Sequence, residues 1–271
     1  MKRIVCTLTY AMLLVLALAA GACLAVQPSS AAPELGPEPA ATNTLFQVST
    51  IQALLNGQYD GTVTFGSLLT SGDFGLGTFD KLDGEMIAFD GKAYQINASG
   101  KVTPVPATWT TPFAVVTNFG SDLELTFNSV KDFADLQLRI QKELPGLNLF
   151  YAIRIDGLFQ YMKTRSVPAQ TEPYPPLAEA AKHQSVFEMK DTSGTVVGFF
   201  TPEFGGKVNV PGFHMHYLDQ SATHGGHILD LSAQEIVVKI DRTPYLFLNL
   251  PLATAGTKMV DRTHELDAIE K

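Results

Sequence analysis

The chain has 271 residues, 45% of them hydrophobic, and a net charge of −8. That length is enough for one large domain or two small ones with a real hydrophobic core. The acidic balance argues against a nucleic-acid partner.

The start reads as an export segment. Met1-Lys2-Arg3 is basic, "LLVLALAAGACLAV" is an apolar run ending in small residues, and "QPSSAAPELGPEPAATNT" is rich in Pro, Ala and Ser. This layout predicts a signal peptide over 1–25 and a flexible linker over 26–43. The apolar part is short for a retained membrane anchor. "AAGAC" loosely resembles a lipoprotein box, but Ala20 stands where Leu is usual, and cleavage after Ala22 or Ala25 fits equally. The expected location is outside the cytoplasm: periplasmic, secreted, or lipid-anchored at the cell envelope. Both cysteines, Cys6 and Cys23, lie in or beside this segment. The remainder, 44–271, therefore has no disulfide framework and no thiolate metal ligand. Removing Lys2 and Arg3 from the whole chain leaves 17 basic against 27 acidic residues, a net of −10.

From Thr44 the pattern turns globular. "TLFQVSTIQALLNGQYDG" suits a strand passing into a short helix that ends at Gly57. Asp83-Gly84 and Asp90-Gly91 punctuate short alternating runs, which predicts a β-meander from Thr78 to Ile96. "TPFAVVTNF" and "LELTF" read as strands. "SVKDFADLQLRIQKELPG" is the clearest helix, with Phe133, Leu136, Ile140 and Leu144 on one face and Pro145-Gly146 as its stop.

"LFYAIRIDGLFQYMKTRSV" reads as a hairpin turning at Asp156-Gly157. "PAQTEPYPPLAEAAKHQ" reads as a Pro-rich connection with a short helix. A second hairpin turns near Ser193-Gly194, and "GFHMHYL", "GHILDLS" and "EIVVKID" give three further strands. The charged tail is a candidate helix. The order predicts an α+β fold with mainly antiparallel or mixed β-sheet and few helices. Each half reads roughly as a helix with several strands.

The chain has 6 histidines, and four of them fall in "GFHMHYLDQSATHGGHILDL". On a strand, residues i and i+2 share a face. His214 and His216 therefore project together, with Met215 turned away. Gly225 and Gly226 permit a tight turn before His227, which joins the pair if the flanking segments form a hairpin. Three neutral imidazoles suit a divalent transition metal, zinc first, with open positions for water or substrate. His224 reads as a loop residue. Asp219 and Asp230 are candidates to orient an imidazole N–H. The spacing names no reaction: a cupin-type dioxygenase, a metal hydrolase and a lyase all fit, although a cupin usually carries a Glu soon after the HxH pair. "GDFGLG" lacks the ending of a phosphate-binding loop and runs into a strand, so it is not read as one.

Three separated blocks, "GDFGLGTFDKLDGEMIAFDGKAYQI", "FYAIRIDGLFQYMKTRSVP" and "GFHMHYLDQSATHGGHILD", closely resemble the signature stretches of bacterial α-acetolactate decarboxylases. The resemblance spans nearly all of the chain after the export segment, in the same order. It implies an α+β fold of two related β-rich halves, here about 44–150 and 151–271. It also implies a zinc-dependent conversion of 2-acetolactate to acetoin and carbon dioxide, in a homodimer. The zinc ligands fall on His214, His216 and His227. The family's glutamate falls on Glu85, its arginine on Arg165 and its threonine on Thr78. A glutamate from the tail falls on Glu265 or Glu270, with "LDAIEK" favouring Glu270. By themselves Glu85 reads as a turn residue, Arg165 as a surface charge and Glu270 as a frayed end.

On that resemblance zinc acts as a Lewis acid that stabilises an enediolate. Arg165 holds the carboxylate or the charge left behind, and Glu85 or the tail glutamate supplies the proton. Two other readings stay open: an exported, non-catalytic metal- or ligand-binding protein, and a zinc hydrolase.

Overall fold

The structure is a computed structural model that describes residues 43–252 and 256–270. The expected signal peptide and, apart from Asn43, the expected linker lie outside the described residues. Those residues all fall within one compact unit.

In chain order, β1 (Thr44–Val48) leads into α1 (Ile51–Leu55), β2 (Val63–Thr64), α2 (Phe65–Leu68) and β3 (Phe74–Thr78). Then come β4 (Glu85–Phe89), β5 (Lys92–Ile96), β6 (Val102–Pro104), β7 (Thr110–Thr111) and β8 (Ala114–Thr117). The middle holds β9 (Leu123–Val130), α3 (Phe133–Glu143), β10 (Tyr151–Ser166), α4 (Leu177–Ala181) and β11 (Ser185–Thr201). The chain closes with β12 (Gly212–Asp219), β13 (Gly225–Arg242), β14 (Tyr245–Asn249) and α5 (Leu266–Glu270).

Two main sheets result. The first has seven strands in the order β14-β1-β8-β3-β4-β5-β6. Its one parallel pair, β1 with β14, makes it mixed. The second has five antiparallel strands, β10-β11-β12-β13-β9, and a further β10–β13 pairing returns the order to its first strand. That closure satisfies the long edges internally. The fold is therefore mainly β with few helices, as the residue pattern predicts. Sheet membership crosses residue 150 in both directions: β9 belongs to the second sheet and β14 to the first.

Local signals explain the elements that the sequence predicts well. Thr50 caps α1 by accepting the Ala53 N–H, and Gly57, at φ 79°, ends that segment. Asp90 and Gly91, both at positive φ, make the two-residue turn between β4 and β5. Asp132 caps α3 by accepting the Asp135 N–H at 2.7 Å, and Leu136 and Ile140 on that helix are fully buried. They pack with Tyr151, Phe159, Met215 and Ile236 in the core of the second sheet. A second cluster, including Leu76, Ile87, Val197 and Phe199, joins the two sheets.

Two predicted turns and one predicted division between strands are absent. Asp156-Gly157 lies inside β10, a continuous strand of 16 residues. Ser193-Gly194 lies inside β11, which runs for 17. "GHILDLS" and "EIVVKID" are one strand of 18. The reason is pairing on both sides. Asp156 and Gly157 face Thr195 and Gly194 on β11, and Val237 and Ile236 on β13. Two ladders hold extended a segment whose local preference is to turn. Gly157 serves close approach there: a Cβ would sit 2.8 Å from the Ile236 side chain and 2.9 Å from the Glu235 carbonyl. The unpredicted β14 lies in "YLFLN", whose parallel partner is about two hundred residues upstream.

Candidate metal centre

The three histidines occupy two neighbouring strands, His214 and His216 on β12 and His227 on β13. His216 and His227 are direct cross-strand partners. Met215 points the other way into the core, as strand alternation requires. The hairpin turn itself is Gln220 to His224, with Ala222 at positive φ. Gly225 and Gly226 are already in the strand. A Cβ on Gly226 would lie 2.4 Å from the Arg165 carbonyl, and its φ of 134° disfavours other residues.

The rings form a nearly regular triangle, with centroids 5.0, 5.1 and 5.4 Å apart. Each offers one nitrogen, and these nitrogens lie within 4.8 Å of one another. All three side chains are buried. Burial, reinforced by the Arg165 charge, holds the His214 and His227 pKa values well below the ordinary imidazole range. Burial pulls His216 down to about 3. All three are thus neutral at physiological pH. His216 Nδ1 lies 2.7 Å from the Met86 carbonyl, which orients that ring and leaves Nε2 for the centre. His214 Nδ1, His216 Nε2 and His227 Nδ1 are buried without hydrogen-bond partners. Buried, neutral, converging imidazoles with unpartnered nitrogens fit a metal ion better than they fit a plain core.

The first sheet supplies the facing wall. Thr78 ends β3, Glu85 begins β4, and the two are cross-strand partners. The Thr78 hydroxyl donates to the Gly84 carbonyl at 2.7 Å, fixing the turn that presents Glu85. Glu85 Oε2 lies 3.6 Å from His216 Nε2. Burial raises the Glu85 pKa to about 7, against the opposing pull of Arg165 and of the Val167 N–H. Arg165, 4% exposed, stands on β10 opposite His227. From α5, Glu270 places one oxygen 3.5 Å from His227 Nε2 and the other 3.9 Å from Arg165 Nη2. Burial lifts its pKa to about 7 as well, and the nearby Glu85 adds to the rise.

Thr78, Glu85, Arg165, His214, His216, His227 and Glu270 line one small cavity, completed by apolar residues such as Leu54, Phe113 and Ile269. The other residues weighed from the sequence lie elsewhere. Glu265 pairs with Arg262 at 2.7 Å. The His224 side chain is 62% exposed. Neither aspartate orients an imidazole of the cluster. Asp219 takes the Thr223 and His224 N–H groups of the turn, and Asp230 takes the Phe133 N–H at the start of α3. For His216 the Met86 carbonyl does the orienting instead, which residue types cannot reveal.

Fold and site together define a candidate metalloenzyme: two β-sheets enclosing three neutral imidazoles, two protonatable carboxyls and one guanidinium. A family model for alpha-acetolactate decarboxylase matches residues 45–258. The alpha-acetolactate decarboxylase of Methanosarcina mazei is 47% identical over 211 residues, covering 78% of this chain and 73% of that one. That of Methylococcus capsulatus is 47% identical over 207 residues, covering 76% and 80%. The crystal structure of the Bacillus subtilis strain 168 enzyme matches with a TM-score of 0.81 at 37% identity, over 84% of this chain and 99% of that one. The chain belongs to the alpha-acetolactate decarboxylase family.

Proposed function

We propose that this site converts 2-acetolactate to acetoin and carbon dioxide, with a zinc ion held by His214, His216 and His227. The carboxy-lyase class follows from family membership. The observation that carries the metal-dependent reading is the convergence of three neutral, buried imidazoles beside Glu85, Arg165 and Glu270.

The substrate has a ketone beta to its carboxylate and a hydroxyl on the carbon between. Losing carbon dioxide leaves an electron pair on that carbon. A zinc ion, when bound, supplies a Lewis acid for the developing charge, so no organic electron sink is required. The all-nitrogen donor set supports zinc. Arg165 pairs with the carboxylate in a water-poor cavity, where a charge-assisted bond is strong. Glu85 and Glu270, both held near neutrality in their titration, keep a proton available for the carbon that loses the carboxyl group. Thr78 secures the turn that presents Glu85.

The direct test incubates metal-free and zinc-loaded protein with racemic 2-acetolactate and measures carbon dioxide and acetoin. Activity should vanish with the metal and return with zinc. Full turnover in metal-free protein would overturn the metal-dependent reading. Bound metal without acetoin release would mark a non-catalytic binding protein instead.

Export and a homodimer belong to the same proposal. The basic start and apolar run support export, which sequencing the mature N-terminus tests. Among the described residues nothing pairs with the outer edge of β14, which supports self-association. Light scattering tests it, and a monomer at working concentration would exclude the dimer.

A further inference from the structure

Among the described residues, Arg165 is the only cationic side chain lining the cavity. A guanidinium offers a carboxylate two bidentate edges: the Nη1–Nη2 end and the Nε–Nη2 side. Here the end is engaged, because Nη1 donates to Gln184 Oε1 at 3.0 Å. The side is free. Nε is buried with no hydrogen-bond partner, and Nη2 lies 3.9 Å from Glu270, beyond hydrogen-bond reach.

We infer that Gln184 is a positioning residue that tethers Nη1 of Arg165 and so presents the Nε–Nη2 edge to the substrate's carboxylate. This rests on the assignment of Arg165 as the carboxylate-holding group. Gln184 does not line the cavity, so it acts through Arg165. Its backbone is held on both sides. The Gln184 N–H bonds the Ala181 carbonyl at the end of α4. Two residues later β11 pairs with β10, with Val186 opposite Arg165. The distance that the amide must span is therefore set by the ladder and does not depend on a mobile loop.

The identity of the tether matters as well as its position. A primary amide accepts the hydrogen bond without neutralising the guanidinium. A carboxylate at 184 would form an ion pair with Arg165 and compete with the incoming anion. Glu270, the nearest acid, approaches the free edge without closing on it. One corner is locked, one edge is open, and the positive charge is retained.

The test uses the zinc-loaded enzyme and two competitive inhibitors. One is 2-hydroxyisobutyrate, which has the carboxylate and the hydroxyl-bearing carbon. The other is acetoin, which has no carboxylate. Gln184→Ala should weaken inhibition by the acid about tenfold, the loss expected for a hydrogen bond to a charged group, while acetoin changes less than about twofold. Gln184→Glu should weaken the acid at least as much, although it keeps an acceptor in place.

Two results would overturn the inference: Gln184→Ala binding the acid as tightly as wild type, or losing both inhibitors equally, as a merely structural role would do. Arg165→Met separates the layers. If it binds the acid normally, the carboxylate assignment of Arg165 itself fails. If it loses the acid while Gln184→Ala does not, that assignment stands and only the tether fails.

Discussion

Arg165 and His227 face each other directly across the β10–β13 ladder. The proposed anion-holding group and one proposed metal-binding group are thus placed by a single backbone pairing, on one face of one sheet. His216 joins them through its own pairing with His227. The same closeness helps to keep the imidazoles neutral, because the guanidinium charge opposes their protonation.

Glu85 sits against His216 with its proton held to about pH 7. Glu85→Gln keeps the shape and removes the transferable proton. Turnover should fall by about 10²–10⁴-fold, the usual contribution of a positioned acid or base. Metal content should stay normal. A wild-type rate measured by acetoin release would remove Glu85 from the chemistry.

The tail offers a second contrast. Truncation after Leu266 deletes Ile269 and Glu270, both of which line the cavity. Glu265→Gln loses a pairing with Arg262 and a longer one with His264, both away from the cavity. The truncated enzyme should lose most of its turnover, and Glu265→Gln should stay within about twofold of wild type, as for a partly exposed ion pair of small energetic worth. The reverse pattern would return the tail role to Glu265.

Gly226 tests the backbone beneath the site. Gly226→Ala forces a Cβ against the Arg165 carbonyl at a φ of 134°. A loss of about 1–3 kcal/mol in unfolding free energy is expected, with metal affinity falling in step because β10 and β13 must separate locally. Denaturant titration and metal analysis read both. Unchanged stability would mean that the ladder yields without cost.

Asp241 governs a pH effect away from the centre. It is 1% exposed. One oxygen accepts the Gly120 N–H, and the other has no partner. Burial raises its pKa from 3.8 to about 6. Between those values the folded state binds the proton more tightly than the unfolded chain, so this residue's penalty is full above about pH 6 and fades as pH falls toward 3.8. Asp241→Asn has no such titration. Its stability relative to wild type should be most favourable above pH 6 and should decline steadily toward pH 4. A difference that stays flat with pH would show that Asp241 is not charged at a cost in the folded protein.

Some of this was legible in the chain because the determinants are local. The i, i+2 spacing of His214 and His216 puts both on one face and turns Met215 to the other. The cap and apolar spacing of α3 and the Asp90-Gly91 turn are likewise short-range. The predicted breaks at Asp156-Gly157 and Ser193-Gly194 failed because those segments are paired on both edges, a long-range constraint that outweighs turn preference.

The sequence by itself determined a mainly β fold, a three-histidine hairpin and, through its resemblance to one family, the group of residues worth watching. Only the tertiary structure decided that Glu85 from one sheet, Arg165 from the other and Glu270 from the tail helix meet at those histidines. It also decided that the Met86 carbonyl, rather than Asp219 or Asp230, orients His216, and that Gln184 tethers Arg165. The physical reason is separation along the chain. Spacing within one strand is set by backbone geometry, whereas the approach of residues 85, 165 and 270 is set by how two sheets and a helix bury their apolar faces.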